Sequence, residues 1–394
     1  MKKTLSLILA SVIFLLLGIS SLAGTSKTPS IEPVDMFTEN QTELDLQVKG
    51  AYLIEATSGA VLYSNEPFLE SSPASVTKIM TLLLVCEALE DGLFKLTDTV
   101  SVSAYAASMG GSQVFLEEGE RMTVEDLIKC TVIASANDAA VALSELVSGS
   151  EGAFVKKMNK KALELGLKNT SFENVTGLDD DTVNHYSCPR DIAIMSRELI
   201  SHEIITKYSG MWQDSIRDGE FTLTNTTRLV RYYDGCNGLK TGSTDKAGFC
   251  VSASAKRGNM QLIAVVMGAP TRDERNEAAR KLLDYGFSNF GLYERGEEYL
   301  ESCEVISGKS DLVPLYTSPV SFIIEKSKLS GVELEYELPE SLSAPINKGD
   351  KVGKVFYKYD GRLLFEADVY AGETVEKITV FEIFSRILKT LVLG

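Results

Sequence analysis

A serine and a lysine stand three residues apart in Ser75-Val76-Thr77-Lys78, directly before the apolar run Ile79–Leu89. Residues three apart on a helix lie on one face, one turn from each other. A serine hydroxyl is a weak nucleophile until a base takes its proton, and a lysine can be that base when burial or nearby cations lower its pKa. A helix N-terminus also directs backbone N–H groups at a reacting carbonyl. The segment therefore indicates a nucleophile, Ser75, with Lys78 as its base.

A second serine occurs in Ser135-Ala136-Asn137, just after a predicted helix that ends near Ile133. A serine hydroxyl in this position can pass a proton towards a leaving group, because it both donates and accepts hydrogen bonds. An asparagine two residues later can hold a substrate amide through its own amide group. Ser135 and Asn137 are therefore predicted to act beside Ser75.

The third candidate catalytic segment is Lys240-Thr241-Gly242-Ser243, which precedes a β-type run. A strand edge here could pair with an extended peptide substrate, and a glycine lets that substrate approach the backbone closely. Lys240 and Thr241 can bind a carboxylate. The backbone N–H of Ser243 would join that of Ser75 in an oxyanion hole.

The three segments occur in one order, at a helix start, in a loop after a helix and on a strand. S-x-x-K, S-D-N and K-T-G in this order are the signature of β-lactamases and penicillin-binding proteins. The chain resembles the low-molecular-mass penicillin-binding proteins of the D-alanyl-D-alanine carboxypeptidase family over roughly Val48 to Gly394. Three further stretches support the resemblance: Gly166–Phe172, Asn184–Ser187 and Leu283–Phe287.

The resemblance implies a role for each matching residue. Ser75 would be the nucleophile and Lys78 the base, with Ser135 and Lys240 as a proton and electrostatic relay. Asn137 and Thr241 would hold substrate, beside Gly242 and Ser243. Arg275 is similar to a family arginine near the pocket and would help bind the terminal carboxylate, although Arg272 is an equally charged neighbour. Ala136 and Ser243 replace a glycine and a histidine of some relatives, which leaves substrate preference and deacylation rate open.

The implied reaction forms an acyl-enzyme on Ser75, releases the terminal D-alanine of a peptidoglycan pentapeptide stem, and ends in hydrolysis. β-Lactams would be covalent inhibitors, and neither an organic cofactor nor a metal is implied. An endopeptidase that cuts cross-links would use the same chemistry on a different amide, and the sequence does not separate the two. A scaffold that only binds peptidoglycan would have lost the serine or the lysine, and neither is lost.

A β-lactamase is the other enzyme with these motifs, and its class A form needs a glutamate that activates water. Glu164-Leu165-Gly166-Leu167 superficially resembles such a site. It lies in a predicted helix that runs from Ala153, and Lys168 replaces the expected asparagine. The sequence therefore favours wall processing over drug hydrolysis.

The elements that must position these residues form an α/β (α+β) pattern of the β-lactamase/transpeptidase type. Apolar runs predict a mixed sheet with a helical cluster inserted between its first and last strands. Its strands are predicted at 51–54, 61–63, 249–255 and 260–268, and its helices at 79–89, 124–133, 139–147, 153–165 and 278–285. A small all-β domain follows, with predicted strands at 313–315, 320–324, 332–336, 352–357 and 363–370.

The two ends of the chain indicate export and membrane contact. Residues 1–23 combine Lys2, Lys3 and an apolar run as a signal peptide does, which predicts action outside the cytoplasmic membrane, in the periplasm or cell-wall space. An uncleaved anchor is the alternative. Residues 24–46 are a predicted linker, 47–296 the catalytic domain and 297–372 the β-domain. The pattern of apolar and polar residues at 374–393 predicts a two-faced helix within a terminal segment 373–394. The helix is expected to lie in the membrane surface, and the alternative is that it packs on the β-domain or a partner.

Composition excludes several other functions. The net charge of −16 argues against nucleic-acid binding, which needs a basic surface. The chain has two histidines, His185 and His202, too few for a multi-histidine metal site. His185 is predicted to be a loop residue that orients Tyr186 or Ser187 rather than a catalytic base. The six cysteines favour buried thiols, with one disulfide between Cys236 and Cys250 as an alternative.

Overall fold

The computed structural model describes residues 44–180 and 182–393. The predicted signal peptide and residues 24–43 of the predicted linker lie outside the described residues. The strands of the described part, numbered in chain order, are β1 Gly50–Glu55, β2 Val61–Asn65, β3 Thr99–Ser101, β4 Arg121–Thr123, β5 Gln213–Ile216, β6 Phe221–Thr224, β7 Cys236–Thr244, β8 Gly248–Arg257, β9 Met260–Ala269, β10 Phe290–Arg295, β11 Glu298–Ile306, β12 Leu312–Thr317, β13 Val320–Glu325, β14 Glu333–Glu337, β15 Ser341–Ser343, β16 Lys351–Tyr359 and β17 Arg362–Ala371.

The α-helices of the same residues are numbered in the same way. They are α1 Lys78–Glu90, α2 Ala104–Ala107, α3 Val124–Val132, α4 Asn137–Ser148, α5 Glu151–Glu164, α6 Pro189–Ile200, α7 Glu203–Ser209, α8 Leu229–Tyr232, α9 Arg272–Asn289 and α10 Val380–Leu393. A 3₁₀ turn, Ala74–Thr77, leads directly into α1.

The catalytic part is built on a five-stranded sheet in the order β2-β1-β9-β8-β7. Every pairing in it is antiparallel, so the prediction of a mixed sheet was wrong. Short turns join β1 to β2, β7 to β8 and β8 to β9. Because a short turn reverses the chain direction, the strands that it joins are antiparallel. The third candidate catalytic segment, Lys240–Ser243, lies on β7, which is an edge strand of this sheet as expected.

A helical cluster follows β2 and precedes β7, as predicted. Helix α1 is apolar on nearly all sides, and Lys78 through Cys86 are all buried, as expected for the central helix of a cluster. The predicted helices at 124–133, 139–147 and 153–165 are α3, α4 and α5. Helix α9 begins six residues before the predicted start at 278, because the Thr271 side chain caps it by accepting from the Glu274 N–H.

The C-terminal part is all β, as predicted. The five predicted strands are present, and β10, β11 and β15 were not predicted. Strand β10 pairs with β13, and the other six strands form one sheet in the order β14-β16-β17-β12-β11-β15. Phe290 of β10 and Ile323 of β13 lie in the same buried cluster as Leu282 and Leu283 of α9. This shared core attaches the β-rich part to the catalytic part.

The terminal helix begins at Val380 and not at Thr374. Residues before it pair with the β-rich part, since Val375 bridges Ile346, and Thr379 and Glu382 then form a reciprocal capping box. Seven apolar residues of α10 between Val380 and Leu391 are exposed, with Phe381 at 84%. Among the described helices, none is both long and apolar enough to cross a bilayer.

All six cysteines are free thiols, and the alternative disulfide between Cys236 and Cys250 is not formed. Five of the six are buried, and Cys236 is half-buried. Burial raises the pKa of the Cys86 and Cys188 thiols to about 12, which keeps both in the unreactive thiol form.

Candidate active site

Ser75 and Lys78 meet where the 3₁₀ turn enters α1. Residues three apart in a 3₁₀ turn are eclipsed, so both side chains project from the same edge. Lys78 Nζ donates to Ser75 Oγ at 2.9 Å and to the Thr176 carbonyl oxygen at 2.8 Å. Lys78 is fully buried, and no carboxylate among the described residues forms an ion pair with it. Ser75 is partly exposed, so the amine sits behind an accessible hydroxyl.

The surroundings of Lys78 favour a neutral amine. Burial lowers the pKa of Lys78 well below its usual value, the nearby Lys240 lowers it further, and Asp138 opposes the shift. A neutral amine has a lone pair that can accept the proton of Ser75. The pair can therefore generate an alkoxide-like nucleophile without a histidine.

Ser135 and Lys240 form a second serine–lysine pair. Lys240 Nζ donates to Ser135 Oγ at 2.7 Å and to the Thr241 carbonyl oxygen at 3.0 Å. Lys240 is 1% exposed, and burial together with Arg275 lowers its pKa to about 7. Ser135 occupies the left-handed region (φ 62°) between α3 and α4, a conformation that is costly for a non-glycine residue.

Asn137 is the first residue of α4, beside this pair, but it does not line the cavity that Ser75 and Ser135 border. Its amide Nδ2 donates to the Gly110 carbonyl oxygen at 2.7 Å, while its Oδ1 is buried without a partner. Asp138, the next residue, accepts the backbone N–H groups of Val114 at 3.1 Å and Leu116 at 3.0 Å. This holds the 110–116 segment against the site, and sequence reasoning did not find Asp138.

Gly242 lets β7 approach Ser75 closely. A Cβ atom at this position would lie 2.8 Å from both the Ser75 nitrogen and the Pro73 carbonyl oxygen. Any side chain would therefore push β7 away from Ser75. Ser243, the next residue, is exposed at the open edge of the strand.

These segments border a cavity of about 480 Å³. Of the predicted site residues, those that line it are Ser75, Ser135, Thr241, Gly242, Ser243 and Arg275. Lys78 and Lys240 lie behind the two serines. The sequence did not identify six further lining residues, because none belongs to a motif: Ser112, Trp212, Thr224, Asn225, Thr226 and Arg228.

Two arginines of α9 face this cavity, and both were considered for carboxylate binding. Arg275 is 3% exposed and donates to Asn276 Oδ1. Burial and the neighbouring Arg272 and Arg228 lower its pKa to about 10, so it remains charged at neutral pH. Arg272, one turn earlier, is exposed at the cavity edge. Arg275 is therefore a buried cation at the end of a cleft that starts at Ser75.

A loop behind Lys78 supplies the carbonyl of Thr176. Asn174 Oδ1 accepts the backbone N–H groups of Thr176 at 3.2 Å and of Gly177 at 2.7 Å, and so shapes the turn. Gly177 has a left-handed φ of 83°, and a Cβ there would overlap the Ala74 carbonyl oxygen at 1.8 Å. The loop thus packs directly on the 3₁₀ turn that carries Ser75.

His185 anchors the far end of this loop to the 3₁₀ turn that carries Ser75. Its Nδ1 accepts the Glu173 N–H at 3.1 Å, so Nε2 carries the proton and donates to Thr77 Oγ1 at 2.8 Å. Burial lowers the pKa of His185 to about 4. The prediction that His185 orients Tyr186 or Ser187 was therefore wrong, because the partner lies 108 residues away, in the first motif.

Glu164 does not act in the cavity. It is the last residue of α5, and it pairs with Lys160 and Lys161 on the surface. The glutamate considered for a class A β-lactamase is thus absent from the cavity lining. Among the described residues, no group of three or more His, Cys, Asp or Glu side chains could hold a metal ion.

Two family models match the chain. The model described as D-alanyl-D-alanine carboxypeptidase matches residues 36–271, and that described as penicillin-binding protein 5, C-terminal domain, matches residues 287–377. The chain is 45% identical to D-alanyl-D-alanine carboxypeptidase DacF of Bacillus subtilis over 96% of this chain and 95% of that protein. It is 36% identical to DacA of Escherichia coli K12 over 79% of each.

Solved structures show the same architecture. Penicillin-binding protein 5 of Haemophilus influenzae superposes with a TM-score of 0.75 at 34% identity, over 86% of this chain and all of that one. Penicillin-binding protein D2 of Listeria monocytogenes, determined with ampicillin bound, superposes with a TM-score of 0.58 at 30% identity, over 63% of this chain and all of that one.

Proposed function

The chain belongs to the D-alanyl-D-alanine carboxypeptidase family, and on this premise we propose that it removes the terminal D-alanine from peptidoglycan stem peptides through an ester on Ser75. The observation that carries the proposal is the buried Lys78 amine, 2.9 Å from the Ser75 hydroxyl and without a carboxylate partner among the described residues. Such an amine is a competent general base at neutral pH.

In the acylation step Lys78 takes the proton of Ser75, and Ser75 Oγ attacks the carbonyl of the penultimate D-alanine. The backbone N–H groups of Ser75 and Ser243 stabilise the oxyanion, a role supported by the close approach of β7 at Gly242. Ser135, held by Lys240, passes a proton to the departing amine. The C–N bond breaks, and D-alanine leaves while its former partner remains esterified.

The binding roles follow from charge and orphaned atoms. Arg275 and Thr241 receive the terminal carboxylate, because Arg275 is a buried cation at the far end of the cleft. Asn137 would turn its side chain towards the cavity for its unpartnered Oδ1 to accept a substrate N–H, because that atom is buried just behind the cavity lining. Water then attacks the ester, the amines of Lys78 and Lys240 move its proton, and Ser75 is restored.

The enzyme acts outside the cytoplasm, where its substrate lies. The proposed parts are a signal peptide at 1–23, a linker at 24–46, a catalytic domain at 47–296, a β-domain at 297–372 and a membrane-contacting segment at 373–394. Support for membrane contact comes from the exposed apolar residues of α10, which nothing in the described part of the chain covers. The β-rich part would then set the distance between the active site and the membrane.

A covalent trap tests the proposal. We expect benzylpenicillin to acylate Ser75, since a β-lactam is an amide whose leaving amine stays tethered and hinders hydrolysis. Intact mass spectrometry of the full chain should show one adduct that decays slowly. Ser75→Ala, which removes only the nucleophilic oxygen, should show none.

Two other results would count against the proposal. Rapid drug turnover without a lasting adduct would indicate a β-lactamase. If the folded protein formed no adduct and consumed no drug, the site would bind peptide without catalysis. Release of D-alanine from diacetyl-L-lysyl-D-alanyl-D-alanine should be measured beside the adduct, because it reports the proposed reaction directly.

A further inference from the structure

We propose that the cleft continues past Arg275 into a second anion subsite formed by Arg228 and Arg272, which favours leaving groups with a second carboxylate. The inference rests on the proposed function, because the carboxylate at Arg275 and Thr241 defines the leaving-group side of the cleft. Free D-alanine would end at Arg275. A longer acidic amine, such as the acceptor peptide of a cross-link, would continue beyond it.

The first support is the shape of the cleft. A second cavity, an open surface depression of about 380 Å³, is lined by Arg228, Phe249, Thr271, Arg272 and Asp273. Arg228 and Arg272 also line the cavity that contains Ser75 and Arg275. The two cavities therefore meet at these two arginines, and the space does not end at the carboxylate-binding residues.

The second support is uncompensated charge. Neither Arg228 nor Arg272 forms an ion pair with any carboxylate among the described residues, although Arg217 pairs with Glu120 and Arg280 with Glu277. Asp273 lines the second cavity without pairing to either arginine. Three arginines thus face one lining carboxylate, Asp273, and the wall keeps a net positive charge in a protein of net charge −16.

The position of Arg272 adds to the imbalance. It is the first residue of α9, where the helix dipole is positive and a cation is unfavourable. Burial lowers the pKa of Arg275, repulsion from Arg272 and Arg228 lowers it further, and Asp273 opposes the shift. An anionic group bound between Arg228 and Arg272 would relieve this repulsion, as well as pair with both guanidinium groups.

Size separates the two kinds of leaving group. Beyond its carboxylate, D-alanine offers only a methyl group, so it cannot reach a further cavity of about 380 Å³. An amine with a longer acidic substituent can. The chemistry is unchanged: the amide C–N bond breaks, Ser75 Oγ bonds to the carbonyl carbon, the amine takes a proton and water later hydrolyses the ester.

Three peptides of the form diacetyl-L-lysyl-D-alanyl-X test the subsite, with X as D-alanine, D-glutamine or D-glutamate. D-Glutamate and D-glutamine have the same shape and differ in charge. We expect wild-type kcat/KM to be about fivefold or more higher for D-glutamate than for D-glutamine at low salt, since exposed charge-assisted contacts are modest. The preference should fall at 1 M salt, where screening is strong.

Arg228→Gln and Arg272→Gln should each bring the D-glutamate to D-glutamine ratio towards one. Arg280→Gln is the matched control, since it removes the same charge from the exposed side of α9, away from both cavities, and should keep the wild-type ratio. A ratio near one in the wild type, or an equal ratio in all four proteins, would overturn the subsite. Failure to release D-alanine at all would instead overturn the proposed function.

Discussion

The central residue-scale feature is that two lysines share one small site with no carboxylate paired to either of them among the described residues. Each lysine is buried against a serine, Lys78 against Ser75 and Lys240 against Ser135. Burial lowers the pKa values of both lysines; Lys240 lowers that of Lys78 further, and Arg275 lowers that of Lys240 further, so the site does not easily hold full charges on both amines. In the proposed mechanism one amine then acts as the base while the other donates a hydrogen bond to Ser135.

Replacement of Lys78 separates proton transfer from charge. Arginine stays protonated and cannot accept the proton of Ser75, whereas glutamine keeps a neutral donor to Thr176. We expect both Lys78→Arg and Lys78→Gln to slow acylation by benzylpenicillin by roughly 10²–10⁴-fold, the usual contribution of a general base. The second-order acylation rate is the measurement, with urea unfolding as the check on folding. A near wild-type rate in Lys78→Arg would show that charge alone suffices.

At the scale of elements, residues 173–180 and 182–187 brace the turn that carries Ser75. Thr176 orients Lys78 from one side, and His185 holds Thr77 from the other. Asp179 Oδ2 accepts from Ser72 Oγ at 2.7 Å and from Thr244 Oγ1 at 2.5 Å, which links the turn to the end of β7. These hydrogen bonds hold together the turn that carries Ser75, the segment that contains Asp179, and the end of β7.

Acid should weaken this brace through His185. Its pKa is about 4 in the folded chain and about 6.5 when unfolded, so below pH 6.5 only the unfolded chain gains the proton. The stability that His185 contributes is complete above pH 6.5 and is lost as the pH falls towards 4, by on the order of 3 kcal/mol. Urea unfolding at pH 7 and pH 4.5 measures the loss.

The variant His185→Gln should lose less stability between these two pH values than the wild type, because the titrating group is gone. His202→Gln is the matched control and should keep the wild-type acid sensitivity, since His185 is retained. Equal pH dependence in the wild type and His185→Gln would contradict the role of His185.

At the scale of the whole molecule, the described chain ends in a helix whose apolar side chains have no covering partner. Ion pairs from Glu382 to Lys309 and from Arg386 to Asp311 attach this helix to the β-rich part through polar groups. Its exposed residues include Phe384 and Ile387. A helix of this kind binds a lipid surface through buried apolar area.

Vesicle sedimentation tests this contact. Phe384→Glu should lower the partition constant of the full chain for phosphatidylglycerol-containing vesicles by at least about tenfold. The substitution removes a large apolar group and adds a negative charge. Ser385→Glu adds the same charge on the polar side and should retain most of the binding. Penicillin acylation should stay unchanged in both. Undiminished binding by Phe384→Glu would rule out this face of α10.

The amino-acid sequence by itself determined the chemical groups and most of the elements. The three motifs, the helices α1, α3, α4 and α5, and the five strands of the β-rich part follow from spacing and periodicity, which depend on neighbours within a turn or two. The same local patterns could not show strand direction in the sheet, so the expected mixed sheet was wrong.

Tertiary structure decided which groups meet and how they titrate. Thr77 and His185 are 108 residues apart, and Lys240 and Ser135 are 105 apart, so no local pattern could pair them. Arg228 and Trp212 belong to no motif, and only packing brings them to the cleft. The lowered pKa values of the two lysines depend on burial by distant segments, since desolvation is a property of the folded surroundings and not of neighbouring residues in the chain.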